Sequence, residues 1–335
     1  MNVIKAKLSH VYFERNKINE FDVNIENCKV HFHDDMRMLI IEICGRKSGE
    51  KLNIIFHDII DLLFLYLGGY PQIISIEKNG EIEDISRYAR KYDTWDYFKK
   101  NNLAICEINA GTINEIKIQE YRRLSQIPIY SLQNLVSTNY KHIIVNHRFT
   151  LLLHIIDGII PDSVIGSMSA EIKNVFHHQG RVGDYMAKTY YLCKKSFFFY
   201  HKKYNCEILQ LLRVNRYKFI GVLSDSRNWY SHFLPDNKKP LRLRDGSEML
   251  FYFEIICYTI RLYLINEMGT SVKEEWIKEY LYTVHDWILE VKYGKTTPIK
   301  SNTYKINRGI ADMIRYITEL AQSSNYDIVN AEKLD

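Results

Sequence analysis

Paired cysteines are missing from this 335-residue chain: Cys28, Cys44, Cys106, Cys193, Cys206 and Cys257 are widely scattered, with no C-x-x-C pair. That pattern fits reduced thiols in a cytoplasmic protein better than a disulfide framework or a zinc site. The opening residues, MNVIKAKLSHVYFERNKINEFD, hold no apolar h-region, so no secretory signal is expected. Long apolar runs are missing too. NIIFHDIIDLLFLYLGG, LLLHIIDGII and MLFYFEIICYTIRLYLI are each interrupted by Asp, His, Glu or Arg before the roughly 20 apolar residues of a membrane span accumulate. All three therefore read as core, and no membrane partner is expected. Internal repeats, low-complexity tracts and Gly/Ser linkers are also absent.

With 46% hydrophobic and 25% charged residues, the chain has the apolar material for a substantial core, which excludes overall disorder. Its length allows two domains or one large one. The net charge of +5 is too mild, as an average, to argue for nucleic acid. Partitioned, it is local. Residues 181–244 carry 14 Lys/Arg against four Asp/Glu, +10, while residues 1–130, 131–180 and 245–335 come to −1, 0 and −4.

The pattern changes character near residue 130. Before it, short apolar runs alternate with turn signals in KVHFHDDMRMLIIEICGRKSGEKLNIIF, PQIISIEKNGEIEDIS and LAICEINAGTINEIKIQEY. Period-two alternation and breakers such as Lys78-Asn79-Gly80 predict strands and hairpins. HDIIDLLFLYLGGY predicts one helix closed by Gly68 and Gly69. After it, five stretches are long enough for helices: HRFTLLLHIIDGII, RVGDYMAKTYYLCKKSFFFY, CEILQLLRVNRYKFIGVLSDSRNWYSHF, SEMLFYFEIICYTIRLYLINEMG and VKEEWIKEYLYTVHDWILEVKYG. Gly269 and Gly294 punctuate the last two. Met249–Ile265 is apolar nearly all round, as expected of a central bundle helix or an oligomer seam, with Glu254 paired inside it. The expected architecture is an α+β, strand-rich module over residues 1–130, followed by an all-α bundle over residues 131–335.

The segment that carries chemistry is Ser224-Asp225-Ser226-Arg227-Asn228-Trp229-Tyr230-Ser231-His232. A bare Arg-x4-His is expected by chance about 0.6 times in a chain of this composition, and about 0.04 times once Asn must follow the Arg. A metal-free ribonuclease needs little more than these residue types, because RNA brings its own 2′-OH nucleophile. An imidazole, His232, exchanges a proton near neutral pH. A fixed cation, Arg227, grips phosphate oxygens and stabilises the phosphorane. Asn228 orients the imidazole or the phosphate. The products are a 2′,3′-cyclic phosphate, or its hydrolysed form, and a 5′-OH.

Arg227, Asn228 and His232, followed by Gly246-Ser247-Glu248 and the helix ending NEMG, resemble the higher eukaryote and prokaryote nucleotide-binding (HEPN) ribonucleases. More specifically, the chain resembles the ApeA-type proteins of bacterial anti-phage defence. The resemblance covers roughly residues 135–295. It implies an HEPN helical bundle, a metal-independent endoribonuclease acting in abortive infection without a cofactor, and an N-terminal sensor-like module answering a phage-derived activator. On a straight helix, residues five apart lie about 140° around the axis, so Arg227 and His232 do not converge within one ideal helix. Either the helix distorts near Pro235, or two motifs face each other across a two-fold axis. HEPN relatives typically use the second solution, which implies a homodimer. The alternative is a non-catalytic RNA- or nucleotide-binding HEPN module, or one component of a toxin–antitoxin pair.

The surroundings suit single-stranded RNA through phosphate attraction and base stacking. Lys238, Lys239, Arg242 and Arg244 follow the motif and are candidate phosphate contacts. Among Tyr185, Tyr190, Tyr191, Phe197, Phe198, Phe199, Tyr200, Tyr204, Tyr217 and Trp229, helical spacing puts most in the core. Arg148 and His154 form a looser pair on a leucine-rich helix, where a core histidine is expected. His177-His178-Gln179-Gly180-Arg181 is expected as an inter-helix loop. His31-Phe32-His33-Asp34-Asp35 has the alternation of a strand metal site, but a half-exposed strand running into a turn shows the same pattern and is the preferred reading.

Overall fold

The computed structural model describes residues 1–86, 88, 92, 103–124, 126–137, 145–166, 181–232, 239 and 241–294. The chain divides into two compact units, Met1–Lys141 with Arg261–Ile277, and His142–Ile260 with Lys278–Asp335. A single cut does not separate them: seventeen residues beyond the middle of the chain belong to the first unit.

In the first unit, β1 (Asn2–Ser9), α1 (Val11–Arg15), β2 (Phe21–Ile25), β3 (Cys28–Asp35), β4 (Met38–Gly45), α2 (Gly49–Leu67), β5 (Gln72–Lys78) and β6 (Glu81–Ile82) follow one another. The strands form one six-stranded antiparallel sheet in the order β2-β3-β4-β1-β5-β6. Period-two alternation buries Ile4, Ala6 and Leu8 of β1, and Cys28, Val30 and Phe32 of β3. Three hairpins close on two-residue turns with both residues at positive φ: Glu26-Asn27 (51° and 63°), Met36-Arg37 (51° and 67°) and Asn79-Gly80 (53° and 88°). Such turns match the twist of the flanking strands.

The α2 helix starts at Ser48, whose hydroxyl accepts from the Lys51 N–H, and it is buried continuously from Leu62 to Leu67. Gly68, at φ +89°, ends it in the left-handed conformation. There the buried Arg261 guanidinium donates to the carbonyls of Leu65 (2.9 Å), Tyr66 (3.1 Å) and Leu103 (3.0 Å). A fixed cation thereby satisfies acceptors at the negative end of the helix dipole.

The strands expected in LAICEINAGTINEIKIQEY are not formed. Residues 103–108 are irregular, although Ile105 bonds through its N–H to the Tyr66 carbonyl and through its carbonyl to the Lys273 N–H. Residues 109–114 turn the chain into helix α3 (Glu115–Arg123), capped by the Asn114 side chain on the Lys117 N–H. Glu115 in its first turn and Arg122 and Arg123 in its last favour helix over the weak alternation. Helix α4 (Gln126–Leu135) follows.

The second unit is helical: α5 (Val145–Ile159), α6 (Ser163–Gly166), α7 (Arg181–Lys195), α8 (Phe197–Lys203), α9 (Ile208–Leu211) and α10 (Arg216–His232). It also contains α11 (Gly246–Glu267) as far as Ile260, and α12 (Glu274–Tyr293) from Lys278 onward. Two stretches expected as single helices are each broken. The Ser196 backbone separates α7 from α8, and Arg213, at φ 57°, turns the chain between α9 and α10. Asn215 then caps α10 by accepting from the Lys218 N–H at 2.8 Å. Every residue of α11 from Phe251 to Ile265 is buried, including Glu254. Gly269 and Gly294, both at φ +60°, follow the last two helices as expected. The protein is thus an antiparallel six-stranded sheet with helices, followed by a helical region.

Candidate active site

Helix α10 carries the Arg-Asn-x-x-x-His run at its C-terminal end. Phe219, Ile220, Val222 and Leu223 bury its first half, and Arg227 and Ser231, four residues apart, share the face that meets α5. On α5 the apolar stripe is Phe149, Leu152, Leu153 and Ile156. At about 100° per residue, His154 and Asp157 fall outside that stripe, about 60° from each other. His154 is accordingly exposed and Asp157 half-buried. The expected core histidine is not in the core.

Two cross-helix bonds join these faces. Arg227 Nη2 meets Asp157 Oδ2 at 2.5 Å, and His154 Nε2 lies 3.0 Å from Ser231 Oγ. The earlier residue of α5 pairs with the later residue of α10, so the two helices run antiparallel at the site. From α7, the buried Tyr185 ring lies under the guanidinium, with the Arg227 Cζ 4.3 Å from its centroid. This cation–π contact holds the charge over a desolvated face. Lys188, also from α7 and buried, reaches the Asp162 carboxylate at 2.5 Å and the Asp157 carbonyl at 3.5 Å.

Neighbouring bulk holds the His154 pKa below the ordinary imidazole value. The Arg227 charge pushes it the same way, Asp157 partly offsets this, and His232 adds to the lowering. Arg227, Asp157 and His232 thus all act electrostatically on His154. His232 itself is exposed. Asn228 is buried, and its amide nitrogen has no hydrogen-bond partner among the described residues, nor does Arg227 Nε.

The candidate phosphate contacts differ in their surroundings. Lys238 lies outside the described residues, as do Pro235 and His177–Gly180; the Arg181 side chain is likewise not described. Lys239 Nζ is 3.5 Å from Asp225 Oδ1. Arg242 is buried with its Cζ 4.4 Å above the Trp229 ring, and Arg244 is exposed. The backbone around Arg242 is fastened to α10: the Leu241 N–H donates to Asp225, the Leu243 N–H to Ser226 Oγ, and the Tyr230 hydroxyl to the Leu243 carbonyl. This segment therefore covers a different face of α10 from the one that meets α5. Of the candidate stacking aromatics, Tyr185, Tyr190, Phe197, Phe198 and Tyr200 are buried, whereas Phe199 and Tyr217 are exposed. Lys194, Lys195, Lys202, Lys203, Arg213 and Lys218 are exposed on the same unit.

In the first unit, His31 is engaged by Asp22 at 2.7 Å and by Glu20 at 3.5 Å, and Asp35 accepts from Lys7. Among the described residues no group of three His, Cys, Asp or Glu side chains is placed to hold a metal ion. No helix of the described residues is long and apolar enough to cross a membrane. The chain matches no protein-family model, no curated protein and no solved structure.

Proposed function

We propose that this protein is a metal-independent endoribonuclease of the HEPN type, cleaving RNA by attack of the 2′-OH on the adjacent phosphodiester. The observation that carries this reading is the assembly around Arg227. A guanidinium lying over the Tyr185 ring and the His232 imidazole both act electrostatically on a second imidazole, His154. They do so from the most basic segment of the sequence. Arg227 stabilises the phosphorane, the imidazoles move protons, and the exposed lysines draw the RNA backbone in. The protein acts as a homodimer in the cytoplasm. Its role is in anti-phage abortive infection, where the N-terminal module restrains the nuclease until a phage-derived activator relieves it.

One observation favours a second reading. Asp157 engages Nη2 of the Arg227 guanidinium, and a guanidinium so engaged suits a non-catalytic RNA- or nucleotide-binding module, or a toxin–antitoxin component awaiting its partner. Purified wild type, Arg227→Ala and His232→Ala separate the two. The nuclease reading expects wild-type cleavage that persists in EDTA and leaves 2′,3′-cyclic phosphate ends, with both variants folded and inactive. Salt-dependent RNA binding without products supports the second reading, and equal cleavage by all three proteins overturns the first.

A further inference from the structure

We infer that His154 is the general base of the cleavage reaction, so that one chain supplies both imidazoles and the cation; the inference rests on the nuclease reading above. The sequence offers one Arg-Asn-x-x-x-His run, whose two ends lie about 140° apart on a straight helix. The structure brings a second imidazole to this run, beside its His232 end. His154 lies on α5 three residues before Asp157, the carboxylate that holds Arg227, and its Nε2 is 3.0 Å from the hydroxyl of Ser231, the neighbour of His232. His154 is thereby held between the two ends of the motif.

The environment suits a base. His154 is exposed and so open to substrate, while its neighbours lower its pKa and so favour the neutral, proton-accepting form. The charged and titratable groups acting on it are Arg227 and His232 from α10 and Asp157 on its own helix; from α7, Tyr185 packs on Arg227 and Lys188 reaches the Asp157 carbonyl. In the tautomer whose Nε2–H donates to Ser231 Oγ, the Nδ1 lone pair is available to take the proton.

The step balances within this set. The 2′-OH gives its proton to His154, and the 2′-oxygen forms a bond to phosphorus. The P–O5′ bond then breaks, and His232, entering as imidazolium, protonates the departing 5′-oxygen. The charge of Arg227 is unchanged throughout, and solvent exchange returns both imidazoles to their starting forms.

The test measures cleavage of a single-stranded oligoribonucleotide by the full-length protein across pH, in wild type, His154→Gln, Arg227→Ala and His232→Ala. Glutamine keeps a hydrogen-bonding group opposite Ser231 but exchanges no proton. The expected result for His154→Gln is an unchanged melting temperature, a little-changed KM, and a kcat lower by at least about 100-fold. In wild type, the acid limb of kcat/KM falls below the ordinary histidine range and coincides with the His154 midpoint in an NMR titration. Wild-type kcat and an unmoved acid limb in His154→Gln overturn the inference, and so does a limb that misses the His154 midpoint; the nuclease reading survives both outcomes if Arg227→Ala and His232→Ala are inactive. Absence of wild-type cleavage, or cleavage indifferent to Arg227→Ala, overturns that reading and the inference with it.

Discussion

Asp157 holds Arg227 by an ion pair of 2.5 Å between α5 and α10, with the arginine side chain 19% and the aspartate side chain 35% exposed. An RNA phosphate therefore reaches the guanidinium in competition with a carboxylate already on it. The pair is partly screened by solvent, so its contribution to stability is modest. Its larger effects are on the charge that Arg227 presents and on the imidazole one turn away.

Asp157→Asn should tighten RNA binding, because the Arg227 charge is no longer compensated. The slope of log affinity against log salt should steepen by about 0.7 for one added single-strand phosphate contact. Asp157 raises the His154 pKa against the lowering by neighbouring bulk and by Arg227. Its removal should therefore move the acid limb of activity to lower pH. Fluorescence anisotropy with labelled RNA and a pH–rate profile check the two parts.

Arg242→Ala should destabilise the helical unit by about 1–2 kcal/mol, since its buried guanidinium covers Trp229 and anchors the segment fastened to α10. Arg244→Ala, at an exposed position, should stay within about 0.5 kcal/mol of wild type. Urea unfolding measures both. A stable Arg242→Ala protein with weakened RNA binding would instead make Arg242 a phosphate contact.

Arg261→Met should cost at least about 3 kcal/mol, because three carbonyls lose a charged donor in the buried end of α2. Gly68→Ala should cost about 1–3 kcal/mol by a different route. Its φ is +89°, and an added Cβ would stand 2.6 Å from Arg261 Nη1 and 2.9 Å from Leu103 Cβ. Chemical denaturation of each variant, followed by circular dichroism, reads the losses.

His201 supplies an acid-sensitive element. Burial, with a smaller push from Arg216, lowers its pKa from 6.5 to about 4. Between those two values the unfolded chain binds the proton more readily, so stability should fall as pH drops from 6.5 toward 4. The full loss is about 3 kcal/mol from this group, at about 1.36 kcal/mol per pKa unit. His201→Phe, which keeps an aromatic ring against Phe197, should flatten that part of the pH–stability curve measured by urea unfolding.

Much of the local structure was legible along the chain. Asn79-Gly80 announced its hairpin, Gly68 and Gly269 marked helix ends, and the apolar stripe of α5 announced that helix. The strand running from His31 into a turn after Asp35 was legible as well, although neither Met36 nor Arg37 advertises the positive φ that it adopts. Helix α3 was missed because local capping by Asn114 outweighed a weak alternation.

The candidate site divides in the same way. Arg227, Asn228 and His232 stand together in the sequence, and their residue types alone bring proton exchange and phosphate binding within reach. His154 and Asp157 could not be assigned to them, since the bonds that join them to Ser231 and Arg227 span 77 and 70 residues. Periodicity reports which face of a helix is apolar; it carries no record of which other helix packs beside the polar edge. Side-chain packing across the unit makes that choice, and it turned an expected core histidine into a neighbour of the arginine.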